Sequence, residues 1–441
     1  MVYPAIAHVW KGGAHEAPFD SWAKAATNLQ AAIDVAGERY TTVLVTNDVY
    51  FLDAQIEIDK AVTVMSVNGP TVTILDAQGP ARTNRCVLMT AIYGATLDGF
   101  TLRNGIATNN GGGVSCAFGT VQNCTIIDNV ALGAGVPDGG GGGVYLHHAG
   151  KLRDSMIAFN GLNDASPTPD PYGGGVRFDG IAGFRCMVSN CVVANNANSY
   201  YGGGLYGTYT DVLDCRIEGN RVTRQNSTSL GGGAYMSSET LMDRCIITSN
   251  DCGRAGGGVD LRTTGVMRNC LIVGNQSSSS GGGLQVASNT GSKQRVENCT
   301  IVGNAVTSAG QIGGGIYCTS PGSQLTNNIV YFNQASGVDN DLGGTYTNLF
   351  FSCSPTLLEG VNGNTSADPL FVKPGSGYGL SHMTGDYHLR QGSPCADTGT
   401  YLAWMDEAVD IAGDLRIRDG AVNMGAYERV IIPAGTLLYL R

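Results

Sequence analysis

Reactive and aromatic side chains recur at fixed positions after a repeated glycine triplet. After each triplet the first and third residues are apolar, as in Val144 and Leu146, so the second and fourth residues are predicted to point outward from a strand. The second positions are Ser115, Tyr145, Arg177, Tyr206, Tyr235, Asp260, Gln285 and Tyr317, and the fourth are Ala117, His147, Asp179, Thr208, Ser237, Arg262, Ala287 and Thr319. Reactive groups are therefore expected to line one outer face.

These residue types suit carbohydrate chemistry, because aromatic faces stack on pyranose rings and arginine pairs with carboxylates. We predict Arg177 as the partner of a uronate carboxylate, with Tyr206 or His147 as the base of a lyase. Asp179 and Asp260 are the carboxylates that a glycoside hydrolase would need. The predicted substrate-binding residues are Tyr145, Tyr235, Arg262 and Tyr209. The plain alternative is an ordinary strand surface, since tyrosine and threonine favour strands and exposed ion pairs contribute little.

Two repeated patterns decide the fold. Glycine triplets occupy 111–113, 141–143, 173–175, 202–204, 231–233, 256–258, 281–283 and 313–315. Between them a small residue is followed five positions later by asparagine, from Gly99 to Asn104, Cys124 to Asn129, Ser155 to Asn160, Cys191 to Asn196, Cys215 to Asn220, Cys245 to Asn250, Cys270 to Asn275, Cys299 to Asn304 and Asn328 to Asn333. Short alternating strands in such repeats predict an all-β fold, a single-stranded right-handed parallel β-helix with stacked interior cysteines and asparagines.

Three segments are predicted along the chain. Residues 1–39 form an N-terminal segment with a capping helix over 21–38, in which Ser21 is the N-cap. The parallel β-helix covers 40–344, and 345–441 is an irregular C-terminal segment in which the repeat fades.

Composition excludes several classes of partner. Charged residues make up 14% of the chain and the formal net charge is −10, so nucleic acid is not expected to bind. No run of 18 or more apolar residues is present, which predicts that no segment spans a membrane. The N-terminus shows no signal peptide, so a secreted or cell-surface location is predicted from the fold type alone.

Loops, metals and cysteines add three narrower expectations. Long loops at 130–140, 161–172 and 221–230 predict a notch with Tyr206 on its floor and Arg177 and Tyr235 beside it. No cofactor is predicted; Asp339-Asn340-Asp341 has oxygen ligands of the kind calcium prefers, although a solvated turn is favoured. Of the 13 cysteines, Cys353 and Cys395 lie outside the repeat column and are candidates for a bridge.

The repeat resembles those of polymorphic outer-membrane proteins, on the triplet followed by Val144-Tyr145 or Ile316-Tyr317 and on the downstream isoleucine and asparagine. The tail resembles that of bacterial surface proteins called choice-of-anchor Q proteins, on the motifs Asp368-Pro369-Leu370-Phe371, Asp386-Tyr387-His388-Leu389, the stretch from Gly392 to Gly399, and Asn423-Met424-Gly425-Ala426-Tyr427-Glu428. This resemblance implies an exported β-helix and gives no catalytic residue. More broadly the fold resembles pectate-lyase-like proteins, but the signature motifs of polygalacturonases and common pectate lyases are absent.

The sequence therefore favours an extracellular polysaccharide-degrading enzyme, foremost a lyase acting by β-elimination on a uronate-containing chain. Two alternatives stay open: a glycoside hydrolase using carboxylates on the same face, and a non-catalytic adhesin or glycan-binding surface protein. A polysaccharide is the expected partner in all three cases.

Overall fold

The computed structural model describes residues 4–37, 39–132, 139–161, 172–198, 200–225, 229–288 and 293–431. The chain divides into an N-terminal unit, 1–216 with 220–223, and a C-terminal unit, 217–219 with 224–441. Each unit consists of short strands that stack in parallel sheets, as expected when successive turns of a coil pair with each other. The prediction of an all-β parallel solenoid is confirmed.

Three main sheets run through the N-terminal unit. The triplet sheet, formed by the strands after the glycine triplets and their counterparts in earlier rungs, comprises Ile56–Ile58, Val87–Met89, Val114–Ala117, Val144–His147, Val176–Asp179 and Leu205–Thr208. The asparagine sheet, whose later strands precede the repeated asparagines, comprises Asp48–Phe51, Thr73–Asp76, Thr101–Arg103, Thr125–Ile127, Met156–Ala158 and Val192–Ala194. The linking sheet comprises Ile6–Val9, Arg39–Val45, Ala61–Ser66, Thr96–Asp98, Thr120–Gln122, Lys151–Arg153, Cys186–Ser189 and Thr210–Leu213. Short strands pair as Ile106–Ala107 with Val130–Ala131 and Ala197–Asn198 with Arg221–Val222.

The C-terminal unit repeats this plan. Its triplet sheet comprises Ala234–Met236, Val259–Arg262, Leu284–Ala287, Ile316–Cys318 and Leu342–Gly344, and its asparagine sheet Ile246–Thr248, Leu271–Val273, Thr300–Val302 and Ile329–Tyr331. Its linking sheet comprises Leu241–Asp243, Val266–Arg268, Arg295–Glu297, Gln324–Thr326 and Leu349–Phe350, and its short strands are Asp251–Cys252, Gln276–Ser277, Ala305–Val306, Gln334–Ala335 and Val338–Asp339. The strand Arg216–Glu218 contributes residues to both units.

The C-terminal segment contains few regular elements. A small sheet joins Phe371–Lys373, Asp386–Arg390 and Val430–Ile431, and 3-10 turns occupy Val361–Gly363, Gly379–Ser381 and Ala403–Met405. Cys353 and Cys395 are buried here as unbonded thiols in one apolar cluster. The Cys353 thiol hydrogen-bonds with Cys395, and this contact together with burial raises its pKa.

The N-terminal helix is shorter than predicted. It spans Leu29–Val35, and its N-cap is Asn28, whose side chain accepts a hydrogen bond from the Ala31 N–H at 2.9 Å. Ser21 is therefore not the cap. Residues 21–27 form turns instead, in which the Ala26 N–H bonds back to His8 and so continues the backbone pairing of the first strand.

The asparagine ladder is present in both units. In each step the Oδ1 of one asparagine accepts from the backbone N–H and from the Nδ2 of the asparagine one rung earlier, at 2.9–3.1 Å. The ladder contains Asn129, Asn160, Asn196 and Asn220 in the N-terminal unit, and Asn250, Asn275, Asn304 and Asn333 in the C-terminal unit. Because each amide is buried and fully engaged, the ladder is structural, as predicted.

The predicted first member, Asn104, is not part of the ladder. Strand pairing aligns Thr101 with Thr125, and this register places Gly105 opposite Asn129. The Gly105 N–H accordingly donates to Asn129 Oδ1 at 2.8 Å. Asn104 lies one residue earlier with a φ of 58°, and its amide donates to Asp76.

Asp341 ends the ladder with a carboxylate. Its Oδ1 accepts from the Asn333 N–H at 2.9 Å and from Asn333 Nδ2 at 2.8 Å, and burial raises its pKa to about 6. A raised carboxyl pKa gives stability that is fully present below the unfolded value of 3.8 and is lost as the pH rises through about 6. We therefore expect Asp341→Asn to stabilise the protein by about 3 kcal/mol at pH 8 and by much less at pH 4.

Denaturant melts at the two pH values check this expectation. The exposed Asp419→Asn is the matched control and should change stability little at either pH. An equal effect of Asp341→Asn at pH 4 and pH 8 would contradict the role given to this carboxylate.

Candidate functional site

The triplet sheet of the N-terminal unit brings the predicted residues into one register. Tyr145 pairs with Arg177 and Arg177 with Tyr206, while His147 pairs with Asp179. Residues between them are fully buried, so the alternation predicted from the sequence is present. We call Tyr145, His147, Arg177, Asp179 and Tyr206 the tyrosine–histidine face.

Arg177 forms the centre of this face and is closed off by its neighbours. Its guanidinium lies 5.5, 5.2 and 5.9 Å from the ring centroids of Tyr145, Tyr172 and Tyr206, within cation–π range of all three rings. Its Nη2 donates to Asp179 at 2.6 Å. Only 8% of the side chain is exposed. The guanidinium that was expected to meet a substrate carboxylate is therefore already paired and covered.

Asp179 joins the arginine to Tyr145. The Tyr145 hydroxyl donates to Asp179 Oδ2 at 2.9 Å, so one carboxylate accepts from both residues. Burial, and secondly the negative charge of Asp179, raise the pKa of Tyr145. Tyr145 therefore stays protonated across the physiological range and serves as a hydrogen-bond donor and an aromatic surface.

His147 is the candidate base on this face. Its ring stacks on Tyr145 with centroids 5.0 Å apart and 15° between the planes, and its Nδ1 lies 2.8 Å from His148 Nδ1. Burial and then the charge of His148 lower the pKa of His147 to about 4. The imidazole is consequently neutral at pH 7 and able to accept a proton.

A second aromatic group extends the face. The Tyr172 ring stacks on Tyr206 at 4.4 Å and 19°, and Tyr201 lies 5.3 Å from Tyr172 and 6.4 Å from Tyr206. Tyr172 and Tyr201 stand just before the glycine triplets, at positions that the sequence analysis did not consider. Together the three rings form a continuous aromatic surface of the kind that sugar rings contact.

A cleft of about 830 Å³ in the same unit contains arginines that the sequence analysis missed. Its lining includes Arg82, Arg85 and Asn84. The Arg85 guanidinium donates to Asn109 at 2.6 Å, and its charge is among the causes that lower the pKa of His147. Arg85 was missed because only residues after glycine triplets were considered, and this rung has no triplet.

The remaining predicted residues are less accessible or lie elsewhere. Tyr209 occupies the turn after Leu205–Thr208, with a φ of 47°. Tyr235, Asp260 and Arg262 belong to the C-terminal unit, where Arg262 lies 5.9 Å from the Tyr235 ring and both carboxylate oxygens of Asp260 accept from Arg262. Asp260 is 0% exposed, so it does not offer the surface carboxylate expected at an outward position.

Other expectations concern loops and metals. Of the loops predicted to wall a notch, most of 130–140 and 161–172 lies outside the described residues, as do 226–228 of the loop 221–230. Within the part of the chain that the structure describes, no group of three or more His, Cys, Asp or Glu side chains is placed to hold a metal ion. In the same ranges no helix is both long and apolar enough to cross a membrane.

Comparisons with known proteins bear on the fold. A search of curated proteins finds no match. Among solved structures, the catalytic domain of a GH87 alpha-1,3-glucanase in complex with tetrasaccharides shares 13% identity over 77% of this chain and 67% of that chain, with a TM-score of 0.35. Bacteriophage CBA120 tailspike protein 3 shares 13% identity over 74% and 57%, with a TM-score of 0.30.

A stronger likeness is to the crystal structure of pectate lyase Pel9A, with 12% identity, 96% of each chain covered and a TM-score of 0.52. At this identity the likeness concerns the fold. Residues 143–347 match the family model described as right handed beta helix region. The chain therefore has the fold of a right-handed parallel β-helix.

Proposed function

We propose that the protein binds a uronate-containing polysaccharide on the tyrosine–histidine face and cleaves it by β-elimination. The observation that carries the proposal is a neutral, half-buried His147 stacked on Tyr145, in a unit whose cleft also holds Arg85. The pectate lyase of similar fold supports a carbohydrate substrate. The same proposal places the protein outside the cell, at the surface or secreted, where such polysaccharides occur.

In this reaction His147 is the base. With the proton on Nδ1, which lies 2.8 Å from His148 Nδ1, Nε2 is left to take the proton from C5 of the uronate. The electron pair of the C5–H bond forms the C4=C5 double bond while the C4–O bond breaks, and the departing oxygen takes a proton from water. The product is an unsaturated uronate end, and no oxidant or metal enters the balance.

Arg85 takes the role first expected of Arg177. A cation beside the substrate carboxylate stabilises the negative charge that builds up as the C5 proton leaves. Arg177 holds Asp179 and the tyrosine rings in place, so it is a positioning residue, and Tyr145 with Tyr206 forms the platform for neighbouring sugars.

The direct test is incubation with a panel of uronic-acid polysaccharides, following the ultraviolet absorbance of unsaturated ends. We expect absorbance to rise with at least one of them. Reducing ends that appear without absorbance would replace the lyase by a hydrolase, and no product from any substrate would remove the enzymatic proposal.

Arg85→Ala tests the reassigned cation. We expect a rise in KM and a fall in kcat/KM of about tenfold or more, because a charge-assisted contact to the substrate is lost. Arg153→Ala is the matched control, since Arg153 is an exposed arginine of the linking sheet in the same unit. A normal kcat/KM for Arg85→Ala would exclude Arg85 from the site.

A non-catalytic glycan-binding protein is the second candidate. The observation in its favour is that Arg177 and Tyr145 both donate to the Asp179 carboxylate, which holds the three side chains together as in a rigid binding platform. Glycan binding without product would establish it. The hydrolase has less support, because Asp260 is fully buried and offers no surface carboxylate.

A further inference from the structure

The C-terminal unit has a polar cleft of its own. It measures about 400 Å³ and lies over the triplet sheet of that unit. Its lining includes Arg254, Arg262, Ser279, Gln285, Tyr317 and Thr319. The cleft is built on rigid strands: Asp260 pairs with Gln285 and Gln285 with Tyr317.

The charges at this cleft favour an anion. Among its described lining residues two are arginines and none is acidic. Asp260, which is 0% exposed, accepts from Arg262 through both oxygens. Arg254 also acts electrostatically on Asp260. A described lining with two guanidinium groups and no carboxylate favours an anionic ligand.

Arg262 is held in advance of binding. Its Nη2 donates to Asp260 at 2.9 Å, and its guanidinium lies 5.9 Å from the Tyr235 ring. A side chain fixed in this way loses little conformational freedom when it meets a ligand. The buried Asp260 thus orients Arg262. This role explains why a carboxylate occupies a strand position that was predicted to point outward.

Neutral groups beside the arginines suit a sugar ring. Gln285, 7% exposed, stands between the arginine side of the cleft and Tyr317 and carries both donors and an acceptor. Ser279 adds a hydroxyl. The Tyr317 ring is half-buried and provides an aromatic wall for the apolar face of a pyranose.

We propose that this cleft is a second binding site, specific for a sugar residue that bears an anionic group. Arg254 and Arg262 hold the anion, Gln285 and Ser279 the hydroxyls, and Tyr317 the ring. A uronate carboxylate and a sulfate ester share this chemistry. The site requires no bond cleavage, so it stands or falls separately from the lyase activity of the N-terminal unit.

The test is calorimetric titration of the full chain with three trisaccharides, an oligouronate, a sulfated one and a neutral one. His147→Ala serves as the background, so that no substrate is consumed. We expect anionic trisaccharides to bind and Arg254→Ala to weaken one class of sites by about tenfold or more. Gln285→Ala should weaken the same class, while Arg418→Ala, an exposed arginine of the same unit, should leave binding unchanged.

The outcomes separate the two sites. If the oligouronate binds at two sites per chain, Arg254→Ala should leave one and Arg85→Ala the other. Preference for the sulfated trisaccharide at the site sensitive to Arg254→Ala identifies a sulfate ester as the anion. Binding of all three trisaccharides alike, or anionic binding untouched by both Arg254→Ala and Gln285→Ala, overturns this inference and leaves the proposal for the tyrosine–histidine face intact.

Discussion

Replacing His147 by alanine is expected to reduce kcat on uronate polysaccharide by about 100-fold or more, since a positioned base contributes rate factors of that order. Binding should persist, because Tyr145 and Tyr206 keep their aromatic surfaces. The measurement is kcat and KM from the ultraviolet assay, with thermal melts to show that the variant is folded. His388→Ala, at a histidine of the C-terminal segment, is the control and should retain activity.

The pH profile gives an independent check on the same residue. Because the pKa of His147 is lowered to about 4, the imidazole is protonated and inactive below that pH and neutral above it. Activity should therefore rise with pH through about 4 and then level off. His148→Gln removes a charge that lowers this pKa, so the acid limb should move to higher pH. An acid limb that stays in place in His148→Gln would contradict His147 as the base.

Asn275→Ala is expected to give the largest loss of stability. Asn275 Oδ1 accepts from the Asn250 N–H at 3.0 Å and from Asn250 Nδ2 at 2.9 Å, so the substitution leaves two buried donors without an acceptor. At about 1–3 kcal/mol for each unsatisfied group, together with a small cavity, the free energy of unfolding should fall by about 4 kcal/mol. Denaturant melts of the full chain measure it.

Two comparison variants make this result specific. Asn275→Asp keeps the acceptor for Asn250 but places an oxygen where the amide donated to Ile247 O and Asn304 Oδ1, so its cost should be larger at pH 8 than at pH 4. Gln324→Ala replaces an exposed strand residue of the same unit and should change stability by less than about 0.5 kcal/mol. If Asn275→Ala lowers the free energy of unfolding no more than Gln324→Ala does, the asparagine ladder does not stabilise the β-helix.

Much of the fold is predictable from the sequence because each rung of a solenoid repeats the same short strands and turns. Glycine triplets recur where a Cβ would meet backbone, as at Gly142, where it would lie 2.4 Å from the Gly174 carbonyl oxygen. Register at the start of the coil is harder to predict. Asn104 matches the spacing of the ladder, yet the pairing of Thr101 with Thr125 moves it one residue away. The helix was similarly misplaced, because Asn28 and Ser21 are both acceptable caps.

The candidate site is less predictable, since exposure depends on side chains from other rungs. Alternation correctly places Arg177 on the outer side of its strand, but it does not show that Tyr145, Tyr172 and Tyr206 cover the guanidinium. Asp260 is covered in the same way by Arg262. A sequence pattern predicts which way a side chain points from its strand. It does not predict which neighbouring side chains cover it or bond to it.

The most direct test of the central proposal is a crystal structure of His147→Ala with a bound oligouronate. We predict the chain lying across Tyr145 and Tyr206, with a uronate carboxylate at Arg85 and its C5 facing the space left by the imidazole. An oligouronate that binds only elsewhere, with these residues uncontacted, would contradict the function proposed for this face.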